Sequence, residues 1–200
     1  RLGRVRPRAA RLLRAAAWRV GGEPLPGFPA LRFPPDQPQP IVMGAASYFE
    51  PIVRAEGDSG VLVEVGPYAS ISYDTEFLFP GRDLDPGRVA QSRPGADASG
   101  AVGGSRRAVV GGDTWITRGT RVVGDVTIGA GAVVGAYSVV FDDVRPYAIV
   151  AGNPAVEVGR RFDDRTVEAL LRIAWWDWPE EVVQARASEL CSTDMAGFIA

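Results

Sequence analysis

The sequence predicts an all-β core, a parallel β-helix of six-residue repeats, preceded by an amino-terminal helix and followed by a carboxy-terminal helical tail. The first observation is a spacing of six between bulky aliphatic residues from position 110 to position 140. The second is the content of 24 Gly and 16 Pro in 200 residues, which favours many tight turns. The third is a helical pattern of apolar residues that begins near Asp164.

The six-residue repeat runs without a slip through six aliphatic residues: Val110, Ile116, Val122, Ile128, Val134 and Val140. Strands alternate with a period of 2 and helices have 3.6 residues per turn, so this spacing indicates short strands separated by turns. We expect each aliphatic side chain to point inward and three hexads to form one triangular coil. A β-sandwich with coincidental spacing is the alternative, and six consecutive matches argue against it.

A second set of repeats, Val65, Ile71 and Phe77, has the same spacing in an offset register. An insertion is therefore expected between the two sets. We place it at about residues 78–108, a loop rich in Gly, Pro and Asp within a β-helix of residues 41–160.

The two ends of the chain differ from this core. Residues 1 to about 20 are predicted to form an Arg-rich amphipathic helix, and the Pro-rich stretch up to residue 40 is predicted to be extended. The helix packs on the coils in one interpretation and contacts nucleic acid or anionic lipid in the other. Residues 161–200 are predicted to be helical, with apolar residues at helical spacing: Val167, Leu170, Leu171 and Ala174.

Composition narrows the class of protein. The net charge of -2 gives no overall attraction to nucleic acid or a membrane, so nucleic acid is an unlikely partner. A single cysteine, Cys191, excludes an intrachain disulfide, and without His a zinc site is not expected. We find no membrane-spanning run or signal peptide and expect a cytoplasmic protein. Because the sequence begins at Arg1 rather than Met, the presence of a further segment upstream of Arg1 is an open question.

Three segments resemble the xenobiotic acetyltransferases of the hexapeptide-repeat type, which include the streptogramin and chloramphenicol acetyltransferases. They are GDTWIT (112–117), DDVRPYAIVAGNPA (142–155) and RRFDDRTVEALLRIAWWDWPEE (160–181). The resemblance covers about residues 41–190 and implies a left-handed parallel β-helix. It also implies a homotrimer, a small-molecule acceptor, and acetyl-CoA or another acyl-CoA bound along a coil edge between neighbouring subunits, with no metal.

In the family that the chain resembles, a catalytic His lies on the loop that interrupts the coils, but this chain contains no His. That position falls on Asp83, Leu84 or Asp85, which makes Asp83 and Asp85 the candidate bases. The ordinary Asp pKa of about 3.9 lies roughly 2.6 units below that of His, so a carboxylate acts as a weak base unless burial raises its pKa. Alternatively, both are solvated turn residues of a DLDPG loop.

The acceptor pocket is expected to include Trp115, Tyr68 and Thr117. The resemblance places Trp115 on the pocket wall and puts Thr117 where the family usually has Gly, while Tyr68 is a candidate phenol. Packing is the alternative role for both aromatic residues.

The expected cofactor-binding residues are Gly135, Ala136, Ser138, Asn153, Pro154, Arg160 and Arg161. The small residues allow a pantetheine arm to approach, and the two arginines are candidates for a phosphate clamp or for pairs with Asp163 or Asp164. The resemblance implies Lys at two further positions, where this chain has Asp142 and Val156.

Three functional hypotheses follow. The first is an acyl-CoA-type acyltransferase with a non-His catalytic apparatus, acting on a hydroxyl or amine of an antibiotic-like or natural-product molecule. The second is the same trimeric scaffold used for a different natural-product reaction, such as a cyclisation, an elimination or a thioester-linked step. The third is a non-catalytic trimer that binds a ligand or a partner.

Overall fold

A computed structural model describes residues 41–48, 51–55, 60–80 and 106–199 in full, and residues 19–20 and 23–24 by their backbone. The chain divides into two compact units, Arg1–Gln39 and Pro40–Ala200. In the first unit, β1 (Arg19–Val20) pairs antiparallel with β2 (Glu23–Pro24). Strand β1 therefore occupies the last two positions of the predicted amino-terminal helix, and the rest of that helix lies outside the described residues.

The second unit is a parallel β-helix. In chain order its strands are β3 (Ile41–Met43), β4 (Ile52–Ala55), β5 (Val61–Val65), β6 (Ser70–Ile71), β7 (Glu76–Phe79), β8 (Arg106–Val110), β9 (Trp115–Ile116), β10 (Arg121–Val123), β11 (Thr127–Ile128), β12 (Val133–Val134), β13 (Val139–Val140), β14 (Ala148–Gly152) and β15 (Ala155–Arg160). Face 1 contains β3, β5, β8 and β11; face 2 contains β6, β9, β12, β14 and β15; face 3 contains β4, β7, β10 and β13. Each complete coil contributes one strand to each face.

The core confirms the predicted repeat. All six aliphatic residues of the later set are at most 2% exposed. The earlier set joins the same core, since Val65 aligns with Val110, Ile71 with Ile116 and Phe77 with Val122. The two sets, which are offset in the sequence, are therefore in register in the stacked coils. The predicted insertion falls between Phe79 and Arg106, and residues 81–105 lie outside the described part of the chain.

Tight corners join the faces. We call residues 44–47, 66–69, 111–114, 129–132 and 145–148 vertex 1–2, and residues 72–75, 117–120 and 135–138 vertex 2–3. The third residue of every vertex 1–2 corner has a positive φ: Ala46, Tyr68, Asp113, Gly131 and Tyr147. A positive φ disfavours β-branched side chains, so the valines and isoleucines of the hexads do not occupy this third position.

The last strand breaks the parallel pattern. Strand β15 returns antiparallel to β14 through a turn at Asn153 and Pro154. The tail then forms α1 (Asp164–Ile173), a 3₁₀ turn (Trp175–Asp177), α2 (Glu180–Ala185), α3 (Ala187–Leu190) and α4 (Met195–Ile199). Helix α1 begins where the Asp163 carboxylate accepts a hydrogen bond of 2.8 Å from the Thr166 amide, as expected of an N-cap.

Candidate functional site

Vertex 2–3 brings together most of the predicted cofactor residues. Thr117 lies in the third coil, Gly135, Ala136 and Ser138 lie in the fourth, and the Asn153–Pro154 turn continues the same edge. Consecutive coils are about 4.8 Å apart. The small residues of this edge therefore form a continuous track that runs parallel to the β-helix axis.

The hydroxyl groups on this edge are occupied within the protein. Thr117 Oγ1 donates to the Val134 carbonyl at 2.6 Å. Ser138 is fully buried, donates to the Gly135 carbonyl at 2.6 Å and accepts from the Gly152 amide at 3.1 Å. Ser138 therefore stabilises the edge from inside, and Ala136 and Tyr137 are the exposed residues of its corner.

Tyr137 was not predicted from the sequence. Its side chain is 68% exposed, and its ring packs against Gly119, where an added Cβ would lie 2.5 Å from a ring carbon. Gly119 also has a φ of +67°, so this corner requires Gly for two reasons. Tyr137 thus places an aromatic ring and a phenol on the track.

Asp74 and Arg118 were also missed. One Asp74 oxygen accepts from Ser72 Oγ at 2.6 Å and from the Gly119 amide at 3.0 Å, while Arg118 Nε lies 3.4 Å from the other. Burial raises the pKa of Asp74, but these hydrogen bonds and the Arg118 charge outweigh it, so the pKa is lower than usual. Asp74 is therefore an ionised anchor for the corner and a poor general base at neutral pH.

Trp115 lies on the outer side of face 2. Its side chain is 55% exposed, and its neighbours across the sheet are Ser70 and Val133. Ser70 Oγ donates to the Tyr48 phenol oxygen at 2.7 Å. The indole is thus an exposed apolar surface two residues from Thr117, with hydroxyl groups on one side of it.

Tyr68 lies elsewhere. It sits on vertex 1–2, where its phenol donates to Glu180 Oε2 at 2.8 Å and its ring centroid lies 4.9 Å from that of Trp175. Burial, with a smaller effect from Glu180, raises the pKa of Tyr68. Tyr68 therefore contacts the helical tail and lies on a different vertex from Thr117.

Both candidate phosphate-binding arginines already have partners within the chain, Arg161 on vertex 1–2 and Arg160 at the start of α1. Arg161 Nη1 lies 3.0 Å from Asp113 Oδ2 and donates to the Gly131 carbonyl at 2.8 Å. Its guanidinium carbon is 5.1 Å from the centre of the Tyr147 ring. Arg160 pairs with Asp164. A phosphate at either arginine would compete with these contacts.

The candidate bases Asp83 and Asp85 lie outside the described residues. Within the described part of the chain, no group of three or more His, Cys, Asp or Glu side chains could hold a metal ion. Nor does that part contain a helix long and apolar enough to span a membrane.

Comparison with known proteins identifies the family. No protein-family model matches the chain. A chloramphenicol acetyltransferase of Klebsiella aerogenes is 34% identical over 143 residues, which cover 67% of this chain and 68% of that protein. The chain belongs to the xenobiotic acetyltransferases. Members of this family are enzymes, and membership makes the β-helix left-handed, as the resemblance in the sequence implies.

This xenobiotic acetyltransferase has two further, partial similarities to known proteins. An Escherichia coli chloramphenicol acetyltransferase is 42% identical over 90 residues, 45% of this chain and 43% of that protein. A solved hexapeptide-repeat acetyltransferase of Vibrio cholerae, in complex with acetyl coenzyme A, is 24% identical with a TM-score of 0.46, and the match covers 62% of each chain. The chain thus spans less than half of the Escherichia coli protein.

Proposed function

We propose that this xenobiotic acetyltransferase transfers an acyl group from an acyl-CoA-type thioester to a hydroxyl or amine of a small antibiotic-like molecule. The observation that carries the proposal is the exposed indole of Trp115 on face 2, two residues from the small-residue track of vertex 2–3. An apolar acceptor lies on the indole, and the pantetheine arm of the donor lies along the track. The two ligands then meet near Thr117.

In the reaction an acyl–oxygen or acyl–nitrogen bond and a thiol S–H bond form, while the thioester C–S bond and the acceptor's O–H or N–H bond break. The acceptor oxygen or nitrogen attacks the thioester carbonyl, the carbon–sulfur bond breaks, and the acceptor's proton leaves through a base. The thiolate takes up a proton and departs as a free thiol. Since the chain has no His, we propose that Asp83 or Asp85 acts as the base, which requires burial to raise its pKa.

We further propose a homotrimer in which a neighbouring subunit covers the track. The exposed side chains of Trp115 and Tyr137 support this arrangement, because such large aromatic surfaces are commonly covered by a ligand or a subunit. A covered track would also exclude water and raise a carboxylate pKa, as the proposed base requires.

The test is acceptor-dependent release of free thiol from acetyl-CoA, with chloramphenicol, a streptogramin A and a macrolide as acceptors. Trp115→Ala should lower kcat/KM for the acceptor by about 10- to 100-fold, the effect of losing a large buried apolar contact. Val42→Ala, which shortens an exposed side chain on face 1, is the matched control and should leave kcat/KM unchanged. An absence of thiol release with every acceptor would contradict the proposal.

The base is tested separately. If Asp83 or Asp85 is the base, the double variant to Ala should reduce kcat by about 100-fold or more, with little change in donor binding. Unchanged turnover would remove both residues from the mechanism and favour a reaction that needs no carboxylate base.

A further inference from the structure

The carboxyl-terminal end of the β-helix has a surface that is poorly suited to binding phosphates. We call residues 141–143 and 153–158 the terminal rim, since they follow the last strand of face 3 or form the hairpin that ends face 2. Phe141, Val156 and Val158 on this rim are 51%, 59% and 63% exposed. Three large apolar side chains of the rim are therefore exposed.

The charged groups at this end are mostly negative. Asp142 is exposed, and Asp143 accepts a hydrogen bond of 2.7 Å from the Thr127 amide. Glu157 binds the neighbouring Arg145 through both carboxylate oxygens, at 2.6 and 2.5 Å. Among the described residues, this leaves one arginine against three carboxylates, and that arginine is already paired.

The arginines that follow the rim do not compensate. Arg160 pairs with Asp164, and Arg161 is held by Asp113 and the Gly131 carbonyl. Arg160 also lies opposite Ala148 of vertex 1–2, which is across face 2 from the track on vertex 2–3.

The track determines which part of the donor meets this rim. Thr117, Gly135 and Asn153 lie in successive coils, so the track from Thr117 to the hairpin turn is about 10 Å long at about 4.8 Å per coil. An extended pantetheine arm is longer than this. If its thioester lies beside Trp115 and its arm runs along the track toward the hairpin turn, the donor carries its phosphates to the terminal rim.

We infer that this enzyme recognises its donor through the pantetheine arm and gains nothing from the 3′-phosphate of coenzyme A. The donor class is then pantetheine thioesters in general, including those without 3′-phosphoadenosine. This inference rests on the proposed function, because it concerns the donor of that reaction. A charge-assisted hydrogen bond to a phosphate improves binding by about 10- to 100-fold, and no described group at the rim is left to supply one.

Calorimetry on the full chain tests this with acetyl-CoA, acetyl-dephospho-CoA and S-acetylpantetheine. The dissociation constants of the first two should agree within about threefold and change little with salt. Asp142→Lys should tighten acetyl-CoA about tenfold and acetyl-dephospho-CoA, which keeps the diphosphate but lacks the 3′-phosphate, by clearly less. Glu181→Lys, which makes the same charge change on α2, should alter neither.

The outcomes separate the two proposals. Acetyl-CoA bound at least tenfold more tightly than acetyl-dephospho-CoA by the native chain overturns the inference and leaves the proposed function intact. An unchanged ratio in Asp142→Lys also overturns it, because the rim would then not face the 3′-phosphate. Failure of all three thioesters to bind overturns the inference together with the proposed function.

Discussion

The ion pair between Asp113 and Arg161 joins the turn before Trp115 to the base of the tail, so breaking it should loosen both. Gly112, the residue before Asp113, packs against Trp176, since an added Cβ at Gly112 would lie 2.5 Å from the indole Cγ. The perturbations are Asp113→Asn, Arg161→Met and the two combined. Arg161→Met should be the more costly single change, because it also removes the bond to the Gly131 carbonyl and the contact with the Tyr147 ring.

The expected coupling free energy follows from the geometry. At 3.0 Å and an effective dielectric constant of about 20, Coulomb's law gives about 5 kcal/mol. Solvent screens part of this, since the Arg161 and Asp113 side chains are 30% and 26% exposed. Burial raises the pKa of Asp113 despite the opposing effect of Arg161, so desolvation offsets a further part. We expect a coupling of about 2 kcal/mol, typical of a charge-assisted hydrogen bond.

A double-mutant cycle by urea unfolding at one protein concentration measures this coupling. The matched control is Arg186 with Glu189, an ion pair on the tail with side chains 38% and 49% exposed, for which we expect less than about 1 kcal/mol. Tryptophan fluorescence should also report a changed environment of Trp176 in Arg161→Met. A coupling below about 0.5 kcal/mol between Asp113 and Arg161 would refute the role assigned to the pair.

Two further predictions concern the β-helix itself. The pKa of Glu76 lies below its ordinary 4.5, because hydrogen bonds from Arg121 and Arg54 outweigh the effect of burial. The contribution of Glu76 to stability is therefore present above pH 4.5 and is lost as the pH falls through the folded-state pKa. Glu76→Gln should flatten the acid limb of the stability curve in urea titrations at several pH values, and an unchanged slope would contradict this. Ile128 is 0% exposed, so Ile128→Ala should lower the free energy of unfolding by about 3 kcal/mol and Ile128→Val by about 1 kcal/mol. Equal losses in the two variants would argue against a tightly packed core.

The coils were predictable because their signal is local and periodic. Every hexad aliphatic must point inward, so sequence spacing alone locates the core. The same reasoning fails at the last turn. Val156 is six residues after Val150, yet Val150 is buried and Val156 is 59% exposed. The chain reverses at Asn153 and Pro154, and a period of six does not reveal a change of strand direction.

The partners of the candidate site residues could not be predicted, because they lie in distant parts of the chain. Glu180, the partner of Tyr68, lies 112 positions away, and Asp113, the partner of Arg161, lies 48 positions away. No local pattern could show these contacts. Tyr137 had a signal that went unused, since it is 18 residues after Gly119 and so one coil above it on the same vertex.

The positions at which the resemblance implies a different residue should affect folding and ligand binding unequally. Asp142 and Val156 are exposed, and the Thr117 hydroxyl is satisfied by a carbonyl of the neighbouring coil. Exposed substitutions usually change stability by less than about 0.5 kcal/mol, whereas a shortened core aliphatic costs about 2 to 5 kcal/mol. The buried hexads can therefore hold the β-helix whatever charges the proposed donor-binding edge carries. A conserved scaffold is for that reason weak support for a conserved donor, and measured binding of thioesters with and without the 3′-phosphate has to decide which donor this enzyme uses.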